Sequence, residues 1–124
     1  MFASESAPPV VLVVDDDHDV RATVTGILES RGYTVVEAAS GREALEILAR
    51  DETIGVLFTD VMMPGISGIT LAKRALEKRP GLKVVLTSAY SRETPDAEIP
   101  MLKKPFQTAD LLHAIERPAG RPVA

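Results

Sequence analysis

Apolar and polar positions change period several times along this chain. Val10 to Val14 is an unbroken apolar run, β-branched apart from Leu12. Such a run suits a strand covered on both sides, because helices packed on each face of a parallel sheet leave no face for polar residues. Val20, Val24, Ile27 and Leu28 then recur at helical spacing, and Gly32 supplies a stop. Tyr33 to Val36 predicts a second strand, and Gly41 to Arg50 a helix with Ala44, Leu45, Ile47 and Leu48 on one side. Ile54 to Thr59 predicts a third strand. Pro64, Gly65 and Gly68 interrupt the chain before a helix carrying Leu71, Ala72, Ala75 and Leu76, which Pro80-Gly81 ends. Leu82 to Thr87 predicts a fourth strand, Met101 to Lys103 a short fifth, and Gln107 to Glu116 a last helix with Leu111, Leu112 and Ile115 inward.

Five strands alternating with helices predict right-handed crossovers and a doubly wound α/β fold with a parallel sheet. The stretch between Ser88 and Lys104 is the odd one: it contains Pro95 and Pro100, and a full fourth helix hardly fits. Residues 1–9 read as a flexible leader, 10–117 as one domain and 118–124, with Pro118, Gly120 and Pro122, as a flexible tail.

Composition narrows the function. The 124 residues suit one core, with 45% hydrophobic and 26% charged positions in an ordinary globular balance. There is no cysteine, which removes disulfide scaffolds, thiolate catalysis and cysteine-ligated metals. Fourteen basic against eighteen acidic residues give a net charge of −4, so a binder that tracks nucleic-acid phosphates is not expected. No apolar run approaches the ~20 residues that span a bilayer, and the start lacks a secretory signal. The expectation is a cytoplasmic domain with no membrane or direct DNA partner.

In open α/β sheets ligands bind beyond the carboxyl ends of the strands, so the polar residues there carry the information. Asp15, Asp16 and Asp17 follow strand one, Asp60 follows strand three, Ser88 follows strand four and Lys104 follows strand five. Each has an ordinary explanation: acids cap helices, Asp60 opens a turn with Pro64-Gly65, Ser88 ends a strand, and Lys104 is a solvated lysine. Their joint placement on one edge points further. Two like charges ~4 Å apart cost about 4 kcal/mol at an effective dielectric of 20, so protons or a cation must relieve such a cluster. Oxygen ligands without His or Cys suit a hard cation such as Mg²⁺. With Lys104 and a hydroxyl beside it, the edge becomes a phosphoryl receptor in which Asp60 is the nucleophile.

These residues carry a family resemblance. The segments Val13-Val14-Asp15-Asp16-Asp17, Thr59-Asp60-Val61-Met62-Met63-Pro64-Gly65 with Gly68, Val85-Leu86-Thr87-Ser88-Ala89 and Lys104-Pro105-Phe106 resemble, in order and spacing, the receiver domain of bacterial two-component response regulators over about Val10 to Glu116. The resemblance implies a flavodoxin-like (CheY-like) five-stranded parallel sheet of order 2-1-3-4-5, with the fourth helix short or degenerate. It implies that Asp60 accepts a phosphoryl group from a phosphohistidine on a sensor histidine kinase or phosphotransfer protein, switching a protein-interaction surface. Asp16 and Asp60 would hold Mg²⁺ directly, Asp15 through water, and Met62 through its backbone carbonyl. Ser88 would turn toward the new phosphoryl oxygen and Lys104 would pair with it. The bond before Pro105 would be cis.

On this reading the chain is no conventional enzyme and catalyses only its own phosphorylation and dephosphorylation. Its partners would be the kinase and a downstream protein target, with phosphorylation-dependent dimerisation among the forms the resemblance allows. Departures are visible too. Many receivers carry an aromatic three residues before the lysine, where this chain has Met101; Tyr90 is the available substitute. Met62 and Tyr90 occupy the two positions that tune water attack on the acyl phosphate, and neither orients a water well, which predicts slow self-dephosphorylation. The end of the chain soon after the last helix reads as a receiver without an output domain, either stand-alone or excised. His18 and His113 read as helix-start and surface residues. Three rivals remain: a haloacid-dehalogenase-type phosphatase, which wants an Asp where Met62 stands; an FMN binder, whose phosphate Asp15 to Asp17 would repel; and a receiver-fold interaction module that works without phosphorylation.

Overall fold

The computed structural model describes residues 9–89 and 99–116. Its elements are β1 (Val10–Val14), α1 (His18–Ser30), β2 (Thr34–Ala38), α2 (Gly41–Arg50), β3 (Ile54–Asp60), α3 (Gly68–Lys78), β4 (Lys83–Ser88), β5 (Met101–Lys103) and α4 (Thr108–Glu116). The strands form one sheet of order β2-β1-β3-β4-β5, every neighbouring pair parallel. The expected strand order is therefore present.

The unbroken apolar run of β1 divides between two cores because successive side chains leave opposite faces of a strand. Leu12 and Val14 join Leu57, Leu86 and the inward sides of α2 and α3. Val11 and Val13 join Val24 and Leu28 of α1, Phe58 of β3, and Leu111 and Ile115 of α4 on the other face. Each fully buried Val or Leu contributes roughly 1.5–3 kcal/mol of transfer free energy. Both faces being covered also explains why β1 has no alternating polar positions.

Helix starts follow the side-chain chemistry. Asp17 accepts from the N–H groups of Asp19 and Val20, Ser40 from Glu43, and Ser67 from Thr70, each satisfying donors that a first turn leaves unpaired. At the end of α1 the chain reverses through Gly32, whose φ of 92° favours glycine.

The boundaries differ from the sequence expectation at identifiable places. The sequence predicts the second strand over Tyr33 to Val36, but the Tyr33 N–H bonds back to the Leu28 carbonyl. Tyr33 thus closes the helix turn, while pairing of Val14 with Ala38 extends β2 two residues further. Leu82 likewise belongs to a turn, its N–H donating to the Arg79 carbonyl at 3.0 Å. Asp60 and Ser88, expected just after their strands, are the last residues within them, because Asp60 pairs with Thr87 and Ser88 with Lys103. The last helix starts at Thr108 rather than Gln107.

The shortened helix expected between strands four and five falls on residues 90–98 and lies outside the described residues, as does Tyr90. The same holds for the expected leader, apart from Pro9, and for the tail. Among the described residues no helix is long and apolar enough to cross a membrane.

Candidate functional site

The carboxyl ends of β1, β3 and β4 and the segment after β5 converge on one rim. Parallel pairing puts them there: Val14 pairs with Thr59, Asp60 with Thr87, and Ser88 with Lys103. The residues that follow β1 and β5 therefore emerge beside Asp60. Oxygen atoms of Asp15, Asp16 and Asp60 lie within 4.8 Å of one another. Lys104 Nζ stands 3.1 Å from Asp15 Oδ2 and 3.5 Å from Asp60 Oδ1. Ser88 is buried at the end of β4, and its carbonyl accepts the Lys104 N–H at 2.8 Å. The sequence singled out all of these residues, and the fold brings them to one edge.

Burial differs among the acids. Asp15 and Asp60 are only 3% and 7% exposed, whereas Asp16 faces solvent. Both Asp15 oxygens are engaged, Oδ1 accepting the Asp17 N–H at 2.9 Å and Oδ2 the Lys104 ammonium. Burial pushes the Asp60 carboxyl above its ordinary value; the Lys104 ammonium pulls it back and the Asp15 carboxylate pushes it further up. The backbone N–H of Met62 also favours the ionised form. Removal of water is thus the largest influence on Asp60, and Lys104 compensates it only in part.

The backbone holds Asp60 in place from two sides. The Val61 N–H donates to the Thr87 carbonyl at 2.8 Å and the Gly68 N–H to the Val61 carbonyl at 2.9 Å. This brings the first residue of α3 against the end of β3. A Cβ at Gly68 would collide with the Asp60 carbonyl oxygen and approach Val61 Cα to 2.9 Å, so glycine is required by close approach. The Lys104–Pro105 peptide bond is cis, as the resemblance implies. Met62 is 59% exposed, an unusual position for a large apolar side chain.

Two features were not legible in the sequence. Arg21 reaches from α1 to the Asp15 carbonyl at 2.7 Å and to Glu37 at 3.2 Å. Its position six residues after Asp15, on the face of α1 that turns back to the strand, was the available signal, and it is a weak one. A largely apolar groove of about 530 Å³ also runs beside the rim, lined by Val20, Val24 and Ile27 of α1 and by Lys104, Pro105 and Phe106. The spacing of Val20, Val24 and Ile27 marks them as a helix face without showing that, among the described residues, part of it lines a groove.

An oxygen-only set of three carboxylates with a lysine suits a hard divalent cation and a phosphoryl group better than a transition metal. The comparisons with known proteins agree with this chemistry. Residues 11–116 match the response regulator receiver domain family. The chain is 36% identical over 113 residues to the response regulator receiver protein CpdR of Brucella abortus, covering 86% of this chain and 93% of that protein. It is 36% identical over 118 residues to the sensor kinase CckA of Brucella abortus, covering 90% of this chain but only 12% of that protein. The response regulator protein TrrA of Thermotoga maritima, solved in complex with Mg(2+)-BeF, superposes with a TM-score of 0.78 at 28% identity, over 87% of this chain and 96% of that one. The family match spans nearly the whole described chain, and the structural likeness covers 87% of the chain, so this protein belongs to the response regulator receiver domain family.

Proposed function

We propose that this chain is a cytoplasmic phosphoacceptor in which Asp60 takes a phosphoryl group from a phosphohistidine on a sensor kinase or phosphotransfer protein. An Asp60 carboxylate oxygen attacks phosphorus, the P–N bond breaks, and the departing imidazole nitrogen keeps the bonding electron pair. Lys104 counters the charge on the transferred group, from a position already within 3.5 Å of Asp60. That shared lysine, set between the Asp15 and Asp60 carboxylates, is the observation that carries the reading.

Asp16, Asp60 and the Met62 carbonyl would hold Mg²⁺, with Asp15 acting through water. The last assignment is supported by Asp15 having both oxygens already engaged, by Asp17 and Lys104. Bound there, Mg²⁺ would supply the positive charge that lets three carboxylates and a phosphoryl group share the rim. The TrrA complex with Mg(2+)-BeF favours that choice of ion.

Switching would work through differential contact. Ser88 ends the strand next to Asp60's own, and its hydroxyl gains an acceptor when a phosphoryl oxygen is present. Because the Ser88 carbonyl anchors the Lys104 backbone, a change at one is felt by the other. Coupling of about 1–3 kcal/mol is typical and changes partner affinity by roughly tenfold or more. The groove includes Lys104, which also contacts Asp60, so a helix that presents a phosphohistidine would lie across it, and a downstream protein target would meet the same face after transfer.

The test is phosphoryl incorporation from acetyl phosphate, followed by intact-protein mass spectrometry with Mg²⁺ or a chelator. Wild type should gain one phosphoryl group only with Mg²⁺, and Asp60→Asn should gain none. No labelling of wild type would favour an interaction module that works without phosphorylation, and labelling of Asp60→Asn would move the acceptor to another residue.

A further inference from the structure

We infer that Arg21 is a positioning residue for Asp16, acting through the Asp15–Asp16 peptide, with Glu37 holding Arg21 to that task; the inference rests on the cation site proposed above. The argument begins with the bonds around the turn after β1. The Asp15 N–H donates to the Ala38 carbonyl at 3.3 Å, and its two carboxylate oxygens accept from Asp17 and Lys104. Its carbonyl oxygen accepts from Arg21 Nη1 at 2.7 Å. That carbonyl belongs to the same rigid peptide unit as the Asp16 N–H. Fixing it on one side, and the Asp17 N–H on the other, sets the direction in which the Asp16 side chain leaves the backbone.

Asp16 needs such help more than its neighbours. Asp15 and Asp60 are buried and paired with Lys104, while Asp16 is exposed. Arg21 is well suited to supply it. Its side chain is only 14% exposed, and its Nε donates to Glu37 Oε1 on β2 at 3.2 Å. A guanidinium makes both bonds with one planar group, which a lysine ammonium on a flexible stem does not reproduce. Groups that orient metal-ligating residues from outside commonly alter metal affinity by about 10–100-fold when removed.

Electrostatics alone predicts the opposite sign, which makes the inference testable. A nearby cation repels Mg²⁺, so neutralising Arg21 would strengthen binding if charge were its only contribution. The experiment measures Mg²⁺ affinity of the full chain by calorimetry for wild type, Arg21→Gln, Arg21→Lys and Glu37→Gln, with urea unfolding in chelator as a control for folding. Arg21→Gln should raise the Mg²⁺ Kd about tenfold, Arg21→Lys should stay weakened despite its charge, and Glu37→Gln should move in the same direction by less. With acetyl phosphate, the Mg²⁺ concentration giving half the limiting rate should rise while the limiting rate itself is kept.

Mg²⁺ binding by Arg21→Gln at wild-type strength or tighter would overturn the inference. So would a lowered limiting rate with half-saturation unmoved, since that is the pattern of a merely structural residue. Wild type that binds no Mg²⁺ would overturn the cation site, and this inference with it, whereas wild type that binds while Arg21→Gln binds equally well overturns the inference alone.

Discussion

Two cations near opposite ends of the sheet have different surroundings. Arg79, the C-cap of α3, points its guanidinium at the carbonyl oxygens of Asp51, Glu52 and Ile54, where the chain enters β3. Its hydrogen-bond acceptors are neutral carbonyls, and they tie α3 to the start of the central strand. At the other end of the same strand Lys104 is shared by the Asp15 and Asp60 carboxylates, with Asp16 close by. Three acids against one lysine leave a formal excess of two negative charges there. One end of the strand is settled for stability, while the other carries a charge imbalance that a ligand can relieve. Unrelieved like charge of this kind is what the proposed phosphoacceptor role would draw on.

Substitutions at each end should separate the two kinds of site. Gly68→Ala should have the largest effect, because its new Cβ has backbone rather than a flexible side chain to displace. We expect a loss of about 3 kcal/mol in urea unfolding, together with slower phosphorylation, since the displaced backbone belongs to Asp60. Arg79→Ala should cost about 2 kcal/mol by leaving carbonyls without their partner. It should leave the acetyl phosphate reaction rate unchanged, and a matching loss of rate would mean the two ends are not independent.

Asp60→Asn should do the reverse, abolishing phosphorylation in Mg²⁺ yet raising stability in chelator. The folded-state pKa of Asp60 is raised, so the folded protein holds the proton more tightly than the unfolded chain. Its contribution is fully favourable below the unfolded value, near 3.8, and is lost as pH rises through the folded value. Replacement by Asn should remove that decline, flattening the acid side of the stability profile and raising Tm at neutral pH by roughly 4–8 °C per kcal/mol relieved. Wild type more stable than Asp60→Asn at pH 7 in chelator would contradict the charge argument.

The smallest effect concerns lifetime. Met62→Asn places an amide where an exposed thioether now stands beside the acceptor, and the phosphoryl half-life should shorten several-fold. An unchanged half-life would show that Met62 does not limit access of water.

Much of this was legible in the sequence, for physical reasons. The run Val10 to Val14 had to be covered on both faces, and the two cores that receive its alternate side chains are those helices' inner faces. Strand ends marked the rim because parallel pairing forces their carboxyl ends together. Asp60 and Ser88 fell within strands rather than after them, since polar residues at a sheet end are paired through their backbones whatever their side chains prefer. Arg21, Glu37 and Arg79 were not legible. Each acts through a backbone carbonyl or a side chain on another element, and neither hydropathy nor spacing encodes that.

The central claim is that a divalent cation relieves the repulsion at the rim, and linkage between binding and folding tests it most directly. Urea unfolding of wild type should be compared in chelator and in Mg²⁺, beside Asp16→Asn and Asp60→Asn. At ten times its Kd, Mg²⁺ should add about 1.4 kcal/mol to wild-type stability and add little to either variant. Equal stability of wild type with and without Mg²⁺, or the same gain in Asp16→Asn and Asp60→Asn, would contradict the account.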